Sequence, residues 1–176
     1  MNGDTLTQGL IYQWQSGAMN ESFSDIWGET IDLLNGYDDG DDDDSLREFC
    51  GSSDRWMQGE DASAFGGAIR DMWDPTCGGD PGKVTDSEYW CSTGDSGGVH
   101  INSGIPNHAY VLLVDGGTYN GQTINALGFT KAAHIFWRAQ SQYLTATSDF
   151  SDLADALEAS AADLVGLDLE GLSTGA

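Results

Sequence analysis

Glu21, Asp25 and Asp32 recur at intervals of four and seven residues, which on a helix places three carboxylates on one face. A row of like charges repels itself, so either water solvates it or a metal ion or cationic side chain neutralises it. Further along, Gly94-Asp95-Ser96-Gly97-Gly98-Val99-His100 gathers a carboxylate, a hydroxyl and an imidazole. These groups move protons, attack carbonyls and ligate metals. Arg70 is one of only six Lys and Arg residues, and carboxylates for it to pair with are plentiful. Residues 37–44 are nearly all Asp and Gly, a solvated loop or one beside a calcium site. No suitably placed Glu closes that run into a helix-loop-helix calcium loop.

The elements that must position these groups are helical. Met19, Phe23, Ile26, Trp27 and Leu34 repeat with helical period and predict an amphipathic helix from about Ser16 to Asn35. Residues 51–98 read as loops and short helices, the longest from Ala62 to Trp73 and ended by Asp74-Pro75. Ser103 is positioned to cap a helix with Pro106 in its first turn, running through Tyr110, Leu112 and Leu113 to Gly116-Gly117. Thr130 is expected to cap another, with Ile135, Phe136, Ala139 and Tyr143 on its buried face. Ser148 or Asp149 would cap the last, which carries Phe150, Leu153, Leu157, Leu164 and Val165. Strand signals are weak and no repeat is evident. The expected architecture is mainly α: a bundle of about four to five helices with long irregular loops, and a frayed tail over 167–176.

A chain of 176 residues can bury one domain's core, and its net charge of −23 disfavours nucleic acid and anionic membranes as partners. No apolar run reaches membrane-spanning length. No apolar signal segment opens the chain, as expected of a cytosolic protein or of one whose N-terminal part lies elsewhere. Cys77 and Cys91 bracket a Gly/Pro-rich loop, where a disulfide would suit an oxidising compartment and leave Cys50 free. Three reduced thiols fit the spacing equally well.

Gly94-Asp95-Ser96-Gly97-Gly98 matches the pentapeptide around the nucleophilic serine of chymotrypsin-like proteases, but no histidine precedes Ser96 and the chain is helical. A second resemblance is broader. Gly9-Leu10-Ile11-Tyr12-Gln13, Ser16-Gly17-Ala18-Met19-Asn20-Glu21, Ser24-Asp25-Ile26, Gly59-Glu60-Asp61, Ile69-Arg70-Asp71-Met72, Asp74-Pro75 and Gly79-Asp80-Pro81 are followed by Asp95-Ser96-Gly97-Gly98-Val99-His100-Ile101-Asn102-Ser103-Gly104. Gly116-Gly117-Thr118, Phe136-Trp137-Arg138-Ala139, Tyr143-Leu144-Thr145 and Thr147-Ser148-Asp149-Phe150 continue the series. In that order these blocks resemble the C-terminal helical domain of the thermolysin-like zinc metallopeptidases over residues 9–166, with 1–8 unassigned.

The resemblance implies a role for each matched position. Glu21 falls on a zinc ligand, and thermolysin's two-His-one-Glu site is a standard example of catalytic zinc coordination. Asp25 falls on the carboxylate that orients a zinc-bound histidine. Tyr12 and His100 fall on donors to the oxyanion, and Asp95 on the group that fixes the His100 ring. Arg70 falls on the arginine that holds the substrate backbone, with Ile69 lining the adjacent pocket. Asp32 and Glu60 fall on calcium ligands, and Asp54 is a further candidate. The family's HExxH helix should precede Gly9, yet Met1-Asn2-Gly3-Asp4-Thr5-Leu6-Thr7-Gln8 has neither His nor Glu.

The implied protein is a secreted zinc metalloendopeptidase acting on peptide or protein substrates, using zinc and calcium. This chain would be a fragment of it, inactive without the N-terminal domain that bears HExxH. The alternative is a non-enzymatic, acidic, calcium-binding helical module.

Overall fold

The structure is a computed structural model that describes residues 9–35, 43–64 and 66–173. Most of the acidic run at 37–44 therefore lies outside the described residues. The first helix, α1 (Trp14–Asn35), runs as the periodicity predicts, starting slightly earlier. Its buried face is Ala18, Met19, Phe23 and Ile26. Leu34, expected inside, is largely exposed, while the polar residues Ser22, Asp25, Glu29 and Thr30 are buried.

Between α1 and the next long helix, the expected helix over Ala62–Trp73 is absent. The chain instead forms a two-residue hairpin, β1 (Met57–Gln58) against β2 (Arg70–Asp71), with Gln58 opposite Arg70. The glycines at 59, 66 and 67, all with positive φ, turn the chain in the connection. Asp74-Pro75 starts a helix rather than ending one. In α2 (Pro75–Gly78) the Asp74 carboxylate accepts from the Thr76 N–H and proline occupies the first turn. Arg47 reaches Asp71 at 2.8 Å in a buried ion pair, and Cys50 is joined to Cys77. The cysteine expectations are thereby corrected: Cys91 is the free thiol and it is exposed.

Helix α3 (Asp95–Asn102) opens with non-helical residues and leads into α4 (Gly104–Asp115), which stops at Gly116 as expected. Ser103 sits at the start of α4 but does not cap it; its hydroxyl donates to the His100 carbonyl at 2.9 Å. A hairpin, β3 (Gly117–Tyr119) with β4 (Gln122–Ile124), leads to α5 (Phe129–Arg138), which begins after Gly128, so Thr130 is inside it rather than at its cap. One π turn, Ala139–Tyr143, extends α5. Helix α6 (Phe150–Leu164) begins with a capping box in which Asp149 accepts from the Asp152 N–H while the Asp152 carboxylate accepts from the Asp149 N–H. The expected frayed tail is a hairpin up to residue 173, β5 (Asp168–Leu169) with β6 (Leu172–Ser173), where Leu169 packs on Ile135 and Leu164.

The core joins Met19, Phe23 and Ile26 of α1 to Tyr110, Val111 and Val114 of α4, Phe136 of α5 and Leu153 of α6. Trp56 and Met72 from the flanks of the first hairpin complete it, and the Trp56 and Tyr110 rings meet edge to face at 5.9 Å. Burying these large side chains fixes how α1 lies against α4. Gly17 sets how closely α1 approaches α3, since a Cβ there would stand 2.5 Å from Val99 Cγ1. That approach brings Glu21 to His100.

Candidate functional site

Asp95, Ser96, Gly97 and Gly98 all have φ between 51° and 91°, one left-handed turn ahead of Val99. Gly94 O receives the N–H groups of Gly97 and Gly98, at 2.9 and 3.0 Å. The turn lies between two indoles: a Cβ on Gly97 would come within 2.5 Å of the Trp14 ring, and one on Gly98 within 2.7 Å of Trp90 Cδ1. The turn folds Asp95 back over the start of the regular helix. Its Oδ2 accepts the His100 backbone N–H at 2.9 Å and its Oδ1 meets His100 Nδ1 at 2.6 Å. Burial pushes the Asp95 carboxyl up, but the hydrogen bonds from His100 outweigh it and hold Asp95 below the usual carboxylate range.

His100 Nε2 faces α1, 3.1 Å from the Tyr12 hydroxyl and 3.5 Å from Glu21 Oε2. Tyr12 in turn donates to Glu21 Oε1. The hydrogen bond to Glu21, burial and the negative charges of Glu21 and Asp95 push the Tyr12 phenol up to about 12, so it keeps its proton at neutral pH. That proton is committed to Glu21 and Asp95 only accepts. Both ring nitrogens of His100 are therefore engaged, Nδ1 by Asp95 and Nε2 by Tyr12 and Glu21. With both nitrogens engaged, His100 offers no base to Ser96, and the serine-protease reading has no geometry behind it.

One turn beyond Glu21, Asp25 is only 2 % exposed. Arg70 grips it through Nε on Oδ2 and Nη2 on Oδ1, both at 2.8 Å. Gln58 Nε2 donates to Oδ1 at 2.7 Å and Asn107 Nδ2 to Oδ2 at 2.8 Å, with Ser22 Oγ donating to Asn107 Oδ1 at 2.6 Å. Asp25 is thus not part of a solvated acidic face. Its four lone-pair directions are all filled, so in this arrangement it has none to spare for a histidine. Arg70's charge favours the ionised forms of both Tyr12 and Asp95. Ile69, beside it, is 43 % exposed.

The expected calcium positions lie toward the far end of α1. Glu29 is 6 % exposed, and burial together with the charges of Glu60, Asp32, Asp25 and Asp44 pushes its carboxyl up to about 8. In the 43–54 loop Asp54 Oδ2 accepts the Asp43 N–H at 3.1 Å. Among the described residues no three His, Cys, Asp or Glu side chains stand together as a metal-holding group. Glu21 is a partly exposed carboxylate held by Tyr12 and facing His100, a donor type that zinc accepts.

Sequence reasoning grouped Tyr12, Glu21, Asp95 and His100, which the structure brings together, and set Asp25 on one carboxylate face with Glu21, where the structure buries it instead. It missed Gln58, Asn107, Glu29 and the two tryptophans around the left-handed turn. The Gln58 contact depends on the register of a two-residue hairpin, too short to leave a pattern. Glu29 was detectable only as a carboxylate on the apolar side of α1, three residues after Ile26.

A family model described as the thermolysin metallopeptidase, alpha-helical domain, matches residues 8–172. A zinc metalloproteinase of Renibacterium salmoninarum is 42% identical over 158 residues, covering 86% of this chain and 26% of that protein. A bacillolysin of Brevibacillus brevis is 40% identical over 163 residues, covering 91% of this chain and 27% of that protein. The chain thus spans about a quarter of the length of these relatives. Among solved structures, the precursor of protealysin, a metalloproteinase from Serratia proteamaculans, superposes with a TM-score of 0.56 at 29% identity, covering 85% of this chain and 44% of that one.

Proposed function

Since the chain belongs to the thermolysin metallopeptidase family as its alpha-helical domain, we propose that it forms the substrate-holding, oxyanion-stabilising side of a secreted zinc endopeptidase. The observation that carries this reading is the chain of contacts Glu21–Tyr12–His100–Asp95, which converges one carboxylate and two donors on one cleft. Glu21 would hold zinc together with two histidines of an HExxH helix supplied from outside these residues. Zinc, when bound, supplies an acidified water and polarises the substrate carbonyl. Tyr12 and His100 would release their contacts to Glu21 and donate to the oxygen that gains charge as a peptide carbonyl is attacked. Asp95 keeps the His100 ring aimed for that task. Arg70, anchored by Asp25, would accept the substrate backbone through its remaining donors, with Ile69 offering an apolar wall.

Secretion is supported by the Cys50–Cys77 disulfide, since such bonds persist in oxidising compartments. Calcium would neutralise the carboxylates around Glu29, with Asp32 and Glu60 as ligands and Asp54 as a lesser candidate. That same cluster is what favours the second reading, a calcium-binding module without catalysis.

Zinc content after dialysis, measured beside hydrolysis of an unstructured protein, separates the readings. This chain alone should retain no stoichiometric zinc and cleave nothing, because it offers one ligand and no general base. Joined to an HExxH-bearing portion it should retain one zinc and cleave. A joined protein that binds zinc but never cleaves supports the module. Chelator-sensitive cleavage by the chain alone contradicts the fragment reading.

A further inference from the structure

Gln58 lies opposite Arg70 in the β1–β2 hairpin, and its side chain reaches both members of the Asp25–Arg70 pair. Its Nε2 donates to Asp25 Oδ1 at 2.7 Å, and its Oε1 accepts from Arg70 Nε at 2.9 Å. Arg70 Nε is shared between Gln58 Oε1 and Asp25 Oδ2. A bidentate arginine–carboxylate pair fixes the plane of the guanidinium but leaves it free to rock about the axis between the two groups. A third contact, from an amide that donates to one partner and accepts from the other, removes that freedom. The backbone adds a second constraint, because the Ile69 N–H donates to the Gln58 carbonyl at 2.8 Å and ties both strands beside the pair. Arg70 Nη1 donates to none of the described residues, and the Arg70 side chain is 15% exposed. Nη1 is therefore the part of the guanidinium that these contacts leave available to a ligand.

We propose that Gln58 is a positioning residue that locks the Arg70 guanidinium on Asp25, and so sets where a substrate's peptide carbonyl is received. This rests on the reading of Arg70 as the group that holds the substrate backbone. It implies that substrates bind through an arginine edge fixed before they arrive, so little ordering remains to be done on binding.

The lock can be tested in this chain without any catalysis. In the unmodified chain the Gln58 side-chain amide protons should exchange with solvent more slowly than those of exposed Gln142, by about tenfold or more for a part-buried charge-assisted bond. Gln58→Met keeps the volume and removes both hydrogen bonds. It should speed exchange of the Arg70 Nε–H, followed by nitrogen-edited NMR, by about tenfold, while backbone amides of α1 and α4 keep their protection. In the enzyme completed with its HExxH-bearing portion, Gln58→Met should raise KM about three- to tenfold and leave kcat within about twofold. A side chain that merely fills space would move protection across the fold and leave that split unseen.

Unchanged Arg70 Nε–H exchange in Gln58→Met overturns the lock, as does Gln58 amide exchange as fast as that of Gln142. Arg70→Ala in the completed enzyme separates the two claims. If it raises KM and Gln58→Met does not, the inference about Gln58 is wrong and the role of Arg70 stands. If Arg70→Ala leaves KM untouched, the reading of Arg70 fails and takes the functional part of the inference with it.

Discussion

Gly97→Ala probes the turn on which the site depends. The native residue has φ +91°, where an L side chain costs about 1–2 kcal/mol. The new Cβ would also stand 2.5 Å from Trp14 Cδ2 and Cε3, and forcing a methyl into such a contact costs about 1–3 kcal/mol. The sum is about 2–5 kcal/mol, which for a domain of this size lowers Tm by about 4–20 °C. Gly121→Ala supplies the control. Its φ is +75°, but a Cβ there meets nothing within 4 Å, so it carries strain without collision. Circular-dichroism melts of both variants isolate the collision, and the ¹⁵N signal of His100 Nδ1 reports whether Asp95 still holds the ring. Gly97→Ala should melt well below Gly121→Ala and loosen the Asp95–His100 pair. Equal melting of the two variants would refute the claim that the turn is clamped against Trp14.

Asp25→Ala leaves Arg70 without its counter-charge in a largely enclosed site and should cost about 3–5 kcal/mol in a denaturant titration. Reducing the Cys50–Cys77 bridge frees a separation of 27 residues and should cost about 3–4 kcal/mol by chain entropy, read as a drop in Tm with reductant. Glu29 gives a pH signature. Its folded value is raised from 4.5 to about 8, so it favours the fold fully below pH 4.5 and loses that contribution as pH rises through about 8. Glu29→Gln should therefore be more stable than the native chain at pH 8 in chelator, with the advantage shrinking toward pH 5, and millimolar calcium should narrow the gap at pH 8. A difference independent of pH would remove Glu29 from that account.

Much of the frame was legible because it rests on local signals. The α1 helix, the Gly116 stop and the Asp149 cap each depend on a few nearby residues and appear as read. The region over 51–98 was not, because its order comes from long-range ties: Arg47 to Asp71, Arg55 to Asp115 and Cys50 to Cys77. Such contacts leave no period, which is why a helix was expected where a hairpin stands. The left-handed turn left Gly97-Gly98 as its only trace, and the indoles that hold it are far away in sequence. The grouping of Tyr12, Glu21, Asp95 and His100 was legible as residue types in family blocks. The filled lone pairs of Asp25 were not, since they need Gln58 and Asn107 from two other elements.

The central claim is that His100 serves the transition state of peptide hydrolysis rather than substrate binding. The direct measurement is the steady-state kinetics of His100→Ala in the enzyme completed with its HExxH-bearing portion, loaded with zinc and given a peptide of fixed sequence. The account predicts that kcat falls by roughly 10²–10³ with KM changed less than about threefold. A large rise in KM with kcat intact would contradict it.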